Sequence, residues 1–422
     1  MSADTVRFRC HGCGATVDPA HALPFRCPNA GVTWDDTDHV LAPEDAASAF
    51  PDGGESNPFV RYRGLLSPYR LARKAGLSDA AWADLVEGLG AFRITPMSEQ
   101  AQLAAALGLD SRLWVKDETG NVSGSHKARH LMGVMLYLRV LEIGKLPAGE
   151  GLRARPLAIA SCGNAALAAA VVARAADWPI DVFIPPDADA VVKEELQHLG
   201  ARISVCERRS GEAGDPCVAR CRESVARGAL PFGVQGTENG LAVEGARTLA
   251  FEMAEQLRSA SVVPDALYVQ VGGGALASAL AQGFALACGG GVLPRLPRLI
   301  AVQAAGCAPL ERAWRHLNGF DLAEAARQRS RFMWPWQPTP ASLASGILDD
   351  ETYDWWAVAH GMRASGGRAL VVDEDAIAQA WKAARLHTGI RASATGTAGL
   401  AGAIRAAEGG NVAVIFSGVE RG

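Results

Sequence analysis

Lys127 follows a turn of small residues, Ser123-Gly124-Ser125, and stands where a helix begins, within WVKDETGNVSGSHKARHLMG (114–133). The plain use of a lysine there is a solvated side chain at a helix start. The other use is covalent: an amine whose pKa is lowered by burial or by nearby cations attacks carbonyl groups to form imines. His126 and Arg129 flank it and could supply such a field. A second stretch, VQVGGGALAS (269–278), follows an apolar run and opens a helix, with Gly272, Gly274 and Ala277 in the spacing of a dinucleotide fingerprint. That fingerprint requires an acidic residue about 20 positions on to hold a ribose. None occurs between Asp265 and Glu311, and the following strand supplies Gln303 instead. A nicotinamide dinucleotide is therefore disfavoured. The amides of Gly272, Gly273, Gly274 and Ala275 remain suited to a single phosphate, because a helix N-terminus presents free N–H groups and the positive end of its dipole. A packing glycine turn is the alternative.

A third stretch, SCGNAALAAA (161–170), sets Ser161, Cys162, Gly163 and Asn164 on another turn into a helix, where free amides suit a carboxylate. Cys162 as a nucleophile is the competing reading, since a helix N-terminus lowers a thiol pKa. No histidine lies close in sequence to serve it, so a cysteine in an anion loop is preferred. An amine, a phosphate cradle and a carboxylate loop are together what pyridoxal 5′-phosphate (PLP) chemistry on an amino acid requires.

The elements that must position these groups alternate. Apolar strands are predicted at 156–161, 180–185, 202–206, 266–271, 297–304 and 411–418. Helices are predicted at 162–177, 188–201, 244–258, 275–288, 375–387 and 396–408. This is the pattern of parallel βαβ units with right-handed crossovers. Ligands in such sheets bind beyond the carboxyl ends of strands. The segments SCGN, VGGGA, SGVERG and the loop before Lys127 all fall there, which argues for one shared cleft. His198 and His387 fall on helices and are read as solvated or hydrogen-bonded. FMWPWQP (332–338) is either a lid over the cleft or a packing loop.

The remaining sequence limits the function classes. The 422 residues are 49% hydrophobic and 20% charged, with a formal net charge of −4, so no basic surface for nucleic acid is indicated. No apolar run reaches the length of a membrane span, and MSADTVRFRCHGCG lacks the apolar core of a secretory signal. Nine cysteines, an odd number mostly placed singly, fit a reducing cytoplasm better than a disulfide framework. The first sixty residues differ from the rest. Cys10 and Cys13 form one CxxC knuckle, but the second has only Cys27, with Ala30 in the fourth position. The preferred reading is a degenerate zinc ribbon kept for packing. The alternative is zinc held by the three cysteines with His11 or His21.

The order of these motifs resembles fold type II PLP enzymes, the tryptophan synthase β superfamily. NVSGSHKARH is similar to its lysine loop, SCGNAALAAAVVARA to its S-S-G-N segment, VGGGALAS to its phosphate loop, and FSG near the C-terminus to the strand end facing the pyridine nitrogen. RYRGLL, VEGARTLAFEM, SATGTAGLAGAI and the cysteine-bearing N-terminus resemble the threonine synthase branch more narrowly. The resemblance covers most of residues 60–422. It implies two open parallel-sheet α/β domains with the cofactor in the cleft between them. Residues 60–129 and 236–422 would form the large domain, 130–235 the small one, and 1–59 an extension. It also implies a homodimer. Lys127 would form the internal aldimine and move the α-proton, with His126 beside it. Asn164 would meet the cofactor's 3-hydroxyl, Gly272 to Ala275 its phosphate, and Ser417 its pyridine nitrogen. Ser161, Cys162 and Gly163, with Ser125 of the lysine loop, would hold the substrate. A neutral hydroxyl at the ring nitrogen moderates electron withdrawal and favours elimination over transamination.

Departures bear on the substrate. Lys127 is followed by Ala128-Arg129-His130 where the family has D-R-G, and Cys162 replaces a hydroxyl residue. IRASATG lacks the usual acid, and NGLAVEG places Ala242 where the threonine synthase branch carries an arginine. The reading is a PLP-dependent lyase or synthase acting on a small amino acid with a β- or γ-leaving group. It would eliminate through an aminoacrylate-type intermediate, then deaminate or add a nucleophile. A true threonine synthase using O-phosphohomoserine is the alternative, and a non-catalytic PLP-fold binding protein is the alternative from another class.

Overall fold

The computed structural model describes residues 6–31, 35–45, 49–51, 53–209, 214–337 and 339–421. The first five residues, parts of the acidic stretch at 42–59, and Pro338 of the aromatic loop lie outside them. The chain opens with a small antiparallel sheet of β1 (Phe8–Cys10), β2 (Thr16–Val17) and β3 (Leu41–Pro43), in the order β2-β1-β3. It then lays down β4 (Met97–Glu99) and β5 (Ser111–Asp117), the first two strands of the main sheet. Before completing that sheet it builds a second one from β6 (Leu157–Ala160), β7 (Ile180–Ile184), β8 (Arg202–Val205) and β9 (Leu230–Pro231). It returns with β10 (Ala266–Gln270), β11 (Arg298–Ala304), β12 (Arg368–Val372) and β13 (Gly410–Phe416).

The main sheet has the order β12-β11-β10-β13-β5-β4, parallel throughout except for the β4–β5 pair. The second sheet, β8-β7-β6-β9, is wholly parallel. Parallel sheets are covered by helices on both faces, so their central strands are apolar without alternation. β10, with the sequence ALYVQ, is buried at every residue, and so are the last five residues of β13. Each large apolar side chain buried this way contributes about 1.5–3 kcal/mol.

The helix Lys127–Ile143 is buried along nearly its whole length, which is why its sequence is apolar on all sides. Among its charged residues, Arg129 is fully buried. The guanidinium donates to Glu118 (2.8 Å) and to Glu252 (2.5 Å), while Lys116 Nζ donates to Glu252 and to the Thr95 carbonyl, both at 2.6 Å. Burial works against ionisation of Glu252, yet Arg129 and Lys116 hold its carboxyl below the usual range. Arg129 is thus a bolt that fixes the first turn of the lysine helix to β5 and to the helix Arg247–Ser259. Neither it nor His126 is what lowers the Lys127 pKa. That drop comes from burial itself, partly opposed by two carboxylates.

The aromatic loop packs rather than hangs free. Phe332 is buried, and Arg312 lies 3.8 Å from the Trp334 ring centroid and 5.3 Å from that of Trp336. His198 is exposed. Among the described residues no helix is long and apolar enough to cross a membrane. The N-terminal segment is more complete than its sequence suggests. The ligand atoms of Cys10, Cys13, Cys27 and His39 lie within 4.8 Å of one another. His11 does not supply the fourth corner, because it pairs with Asp38 at 3.0 Å and stacks on Trp356. His21 pairs with Asp18 at the surface.

Candidate active site

Four strand ends meet. The loop after β5 carries Lys127, the residue after β13 is Ser417, the glycine turn follows β10, and Ser161 follows β6. The lysine turn is tight: Ser123 (φ +59°) and Gly124 (φ +72°) are both left-handed. It is stitched to the C-terminal tail. Val419 N–H donates to the Gly124 carbonyl (2.8 Å), and the Arg421 guanidinium donates to the Ser123 carbonyl (2.6 Å) and to Asn164 Oδ1. Asn164 also borders Gly418, so the turn after β6 and the tail after β13 touch.

Ser417 Oγ accepts the His126 amide at 3.1 Å and lies 2.5 Å from His126 Nδ1. Burial, with Lys127, His130 and Arg129 nearby, pushes His126 well below the usual imidazole range, so the ring is neutral. His130, in the next turn of the same helix, is likewise pushed down to about 3, chiefly by burial. Its Nδ1 donates to the Ala242 carbonyl (2.7 Å), and its buried Nε2 has no partner among the described residues.

Among the described residues the Lys127 amine has no hydrogen-bond or ion-pair partner. The residue keeps some accessible surface although it lies deep in the body, so its side chain faces an opening rather than packed atoms. Burial pushes its pKa below the usual lysine range, and the charges of Asp349 and Asp354 pull part of the way back. Asp354 is itself pushed up to about 7, by burial and by Asp38, against the Gly236 amide and Lys127. Burial also raises the Asp349 carboxyl, with Lys127 and the Gly273 amide favouring its ionised form.

Both acids belong to one segment packed on the glycine turn. Thr352 Oγ1 donates to the Gly272 carbonyl (3.0 Å) and Asp354 N–H to the Gly273 carbonyl (2.9 Å). A side chain at position 272 would strike Asp349 and Ile347, and Gly274 sits at φ +95°. Only glycine allows this turn to close. Nothing in the sequence singles out these two acids as part of the site.

Two features fit a phosphate-bearing cofactor with an amino-acid substrate. The helix Ala275–Gly289 has no side-chain cap, and neither has the helix Asn164–Ala175. First-turn amides without caps need an outside acceptor. Gln303, where a dinucleotide site would need an acid, is fully buried and spent on the Val271 carbonyl and the Glu311 amide. Cys162 is exposed at its turn. Burial of the thiol, with Asp187 and Asp215, raises its pKa, against its own backbone amide, which suits a loop residue better than a thiolate. Ser125 lies beneath the turn, 1% exposed, with its hydroxyl toward the Lys127 amide at 3.4 Å.

The fold thus gathers an unpartnered lysine and two uncapped helix N-termini at the strand ends of its two parallel sheets. Residues 89–418 match the family described as pyridoxal-phosphate dependent enzyme, and the chain belongs to that family. Its cofactor is pyridoxal phosphate. Among curated proteins it is similar to the threonine synthase of Methanocaldococcus jannaschii, 26% identical over 310 residues, covering 72% of this chain and 68% of that protein. It is also similar to the threonine synthase of Mycobacterium leprae, 25% identical over 363 residues, covering 86% and 87%. Among solved structures it is similar to the processed threonine deaminase isoform 2 of Solanum lycopersicum, with TM-score 0.62, 18% identity and coverage of 90% and 94%. Maize serine racemase gives TM-score 0.60, 19% identity and coverage of 83% and 93%. These two share the fold type II architecture.

Proposed function

We propose that the protein is a lyase or synthase acting on a small amino acid that carries a leaving group at Cβ or Cγ. The observation that carries this reading is the unpartnered Lys127 amine facing the cleft, with uncapped helix N-termini at Asn164 and Ala275 on either side. Bound pyridoxal phosphate supplies an electron sink for the substrate's α-carbon. The amides of Gly272 to Ala275 hold its phosphate, Asn164 and Ser417 orient its ring, and Ser161 to Gly163 take the substrate carboxylate. Lys127 holds the cofactor, then removes the α-proton at its neutral amine, which its lowered pKa favours. The Ser417 hydroxyl, backed by the neutral His126 imidazole, gives the ring no full negative partner. That supports elimination, followed by release of ammonia and a keto acid or by addition of a nucleophile.

Position 242 informs the substrate. Ala242 is fully buried, with its carbonyl on His130. No cation is offered there to an anionic leaving group, which favours a substrate other than O-phosphohomoserine. The second reading is a true threonine synthase, supported by the names of the curated relatives. A non-catalytic binding protein is the weaker third, since such a scaffold has no chemical need of Lys127. The reading extends to a homodimer on family grounds and to the cytoplasm on cysteine usage.

The test is the absorption spectrum of the holoenzyme with serine, threonine, O-phosphoserine and O-phosphohomoserine in turn, with product analysis. A shift of the cofactor band with keto acid or a β-replaced product from one of the first three supports the proposal. Threonine formed from O-phosphohomoserine alone replaces it with the second reading. No shift and no product from any amino acid leaves the third.

A further inference from the structure

We propose that Cys10, Cys13, Cys27 and His39 form a zinc site that braces the N-terminal sheet against the catalytic body. Cys10 closes β1, Cys13 and Cys27 sit in two turns, and His39 arrives just before β3, which pairs with β1 through Cys10 and Leu41. Cys13 Sγ lies 3.5 Å from Cys27 Sγ, and Cys10 Sγ lies 3.6 Å from His39 Nδ1. With bonds of ~2.3 Å to sulfur and ~2.0 Å to nitrogen, a tetrahedral zinc has S···S edges of ~3.8 Å and S···N edges of ~3.5 Å. The spacing is therefore that of ligands around one ion, in the soft, tetrahedral donor set that selects zinc.

The outer groups agree. Asp35 accepts from His39 Nε2, which leaves the Nδ1 lone pair aimed at the thiols, as a carboxylate does behind a metal-bound imidazole. Asn29 Nδ2 donates to Cys13 Sγ at 3.5 Å. Gly12 explains how His39 comes so near. A side chain there would meet the Asp38 carbonyl at 2.4 Å and Thr37 at 2.5 Å, so the 37–39 strand can lie against the knuckle only over glycine.

The ligands alternate with residues that grip the body. Between Cys10 and Cys13, His11 stacks on Trp356 with ring centroids 4.3 Å apart and planes 5° apart. Beside His39, the buried Asp38 carboxylate takes His11 Nε2 and, at 3.2 Å, Arg329 Nε, whose guanidinium also holds Glu351. Glu351 and Trp356 bracket the segment packed on the glycine turn. A metal that fixes residues 10–13 and 39 therefore fixes the backing of the phosphate cradle.

The experiment is zinc analysis of the full-length holoenzyme, purified under reducing conditions and dialysed, with cofactor content measured on the same samples. About one zinc per chain is expected in the wild type, falling to about a tenth or less in Cys27→Ser and His39→Ala. Cobalt exchange should give intense sulfur-to-metal and tetrahedral d–d absorption. Where a variant fails to fold, mercurial titration of the wild type with a chromophoric chelator decides. Zinc released in step with modification of Cys10, Cys13 and Cys27 supports the site, and release unlinked to them overturns it. Absence of zinc after reconstitution, iron in its place, or a Cys13–Cys27 disulfide by non-reducing intact mass also overturns it.

Discussion

Two lysines eleven residues apart are buried in the same body and put to opposite uses. Lys116 is fully enclosed and gives its amine to Glu252, the Thr95 carbonyl and Gln256. Lys127 also lies deep but keeps some accessible surface and bonds to none of the described residues, with the charges of Asp349 and Asp354 partly opposing the effect of burial. Burial lowers both pKa values. A buried cation with all its donors matched stiffens a structure and does no chemistry. One left without a partner is strained toward its neutral, nucleophilic form. Lys116 lies within β5 with its donors matched, whereas Lys127 lies at the helix start beyond it, with some surface kept and no partner among the described residues; partnership separates bolt from reagent.

The sharpest break of this contrast is Lys127→Ala. It should lower turnover by at least about 10³-fold and remove the absorption band of the lysine-bound cofactor, while urea unfolding stays close to wild type. An unchanged spectrum would sink the assignment. Lys116→Met should do the reverse. Stability should fall by about 3–5 kcal/mol as Glu252 loses a buried partner, with the cofactor band retained in the folded fraction. Urea midpoints at constant slope would measure it.

A smaller effect refines the acidic side of the lysine. The Asp354 carboxyl, ordinarily near 3.8, is held near 7 by burial. Its folded pKa is raised, so its contribution to stability is present below about pH 4 and is lost as pH rises toward 7. The loss is at most about 4 kcal/mol. Asp354→Asn apoprotein should therefore match the wild type at pH 4 and exceed it at pH 8. Equal stability at both would show that the acid is not held neutral. Smallest of all, Asp349→Asn should flatten the fall in cofactor affinity with rising pH, because an ionised carboxylate and a phosphate compete for the Gly273 amide. Equilibrium binding of pyridoxal phosphate across pH would read it.

Much of the site was legible in the sequence, and what was legible was local. The helices after Ser161 and Gly274, the strands that precede them and the turn before Lys127 are each specified by residues within a few positions, and strand-end logic gathers them into one cleft. Partnership was not legible. Arg129, adjacent in sequence to the lysine, looked like its tuning cation but is consumed by Glu118 and by Glu252, 123 residues away. Asp349 and Asp354 are not marked by the sequence because their burial is imposed by packing on the glycine turn, not by their own neighbours. His39 escaped for the same reason. It reaches the three cysteines through the pairing of β1 with β3, whereas a second knuckle would have announced itself by spacing.

The order of strands has a consequence for biosynthesis. β13, which follows β10 and β5 in the chain, lies between them, and the segment after it supplies Ser417, Val419 and Arg421 to the lysine turn. Until β13 has left the ribosome, a growing chain therefore holds a main sheet split down its middle, with the apolar flanks of β5 and β10 open. Folding of the large unit waits for β13. Stop codons just before β13 should yield insoluble material rather than a weakened enzyme.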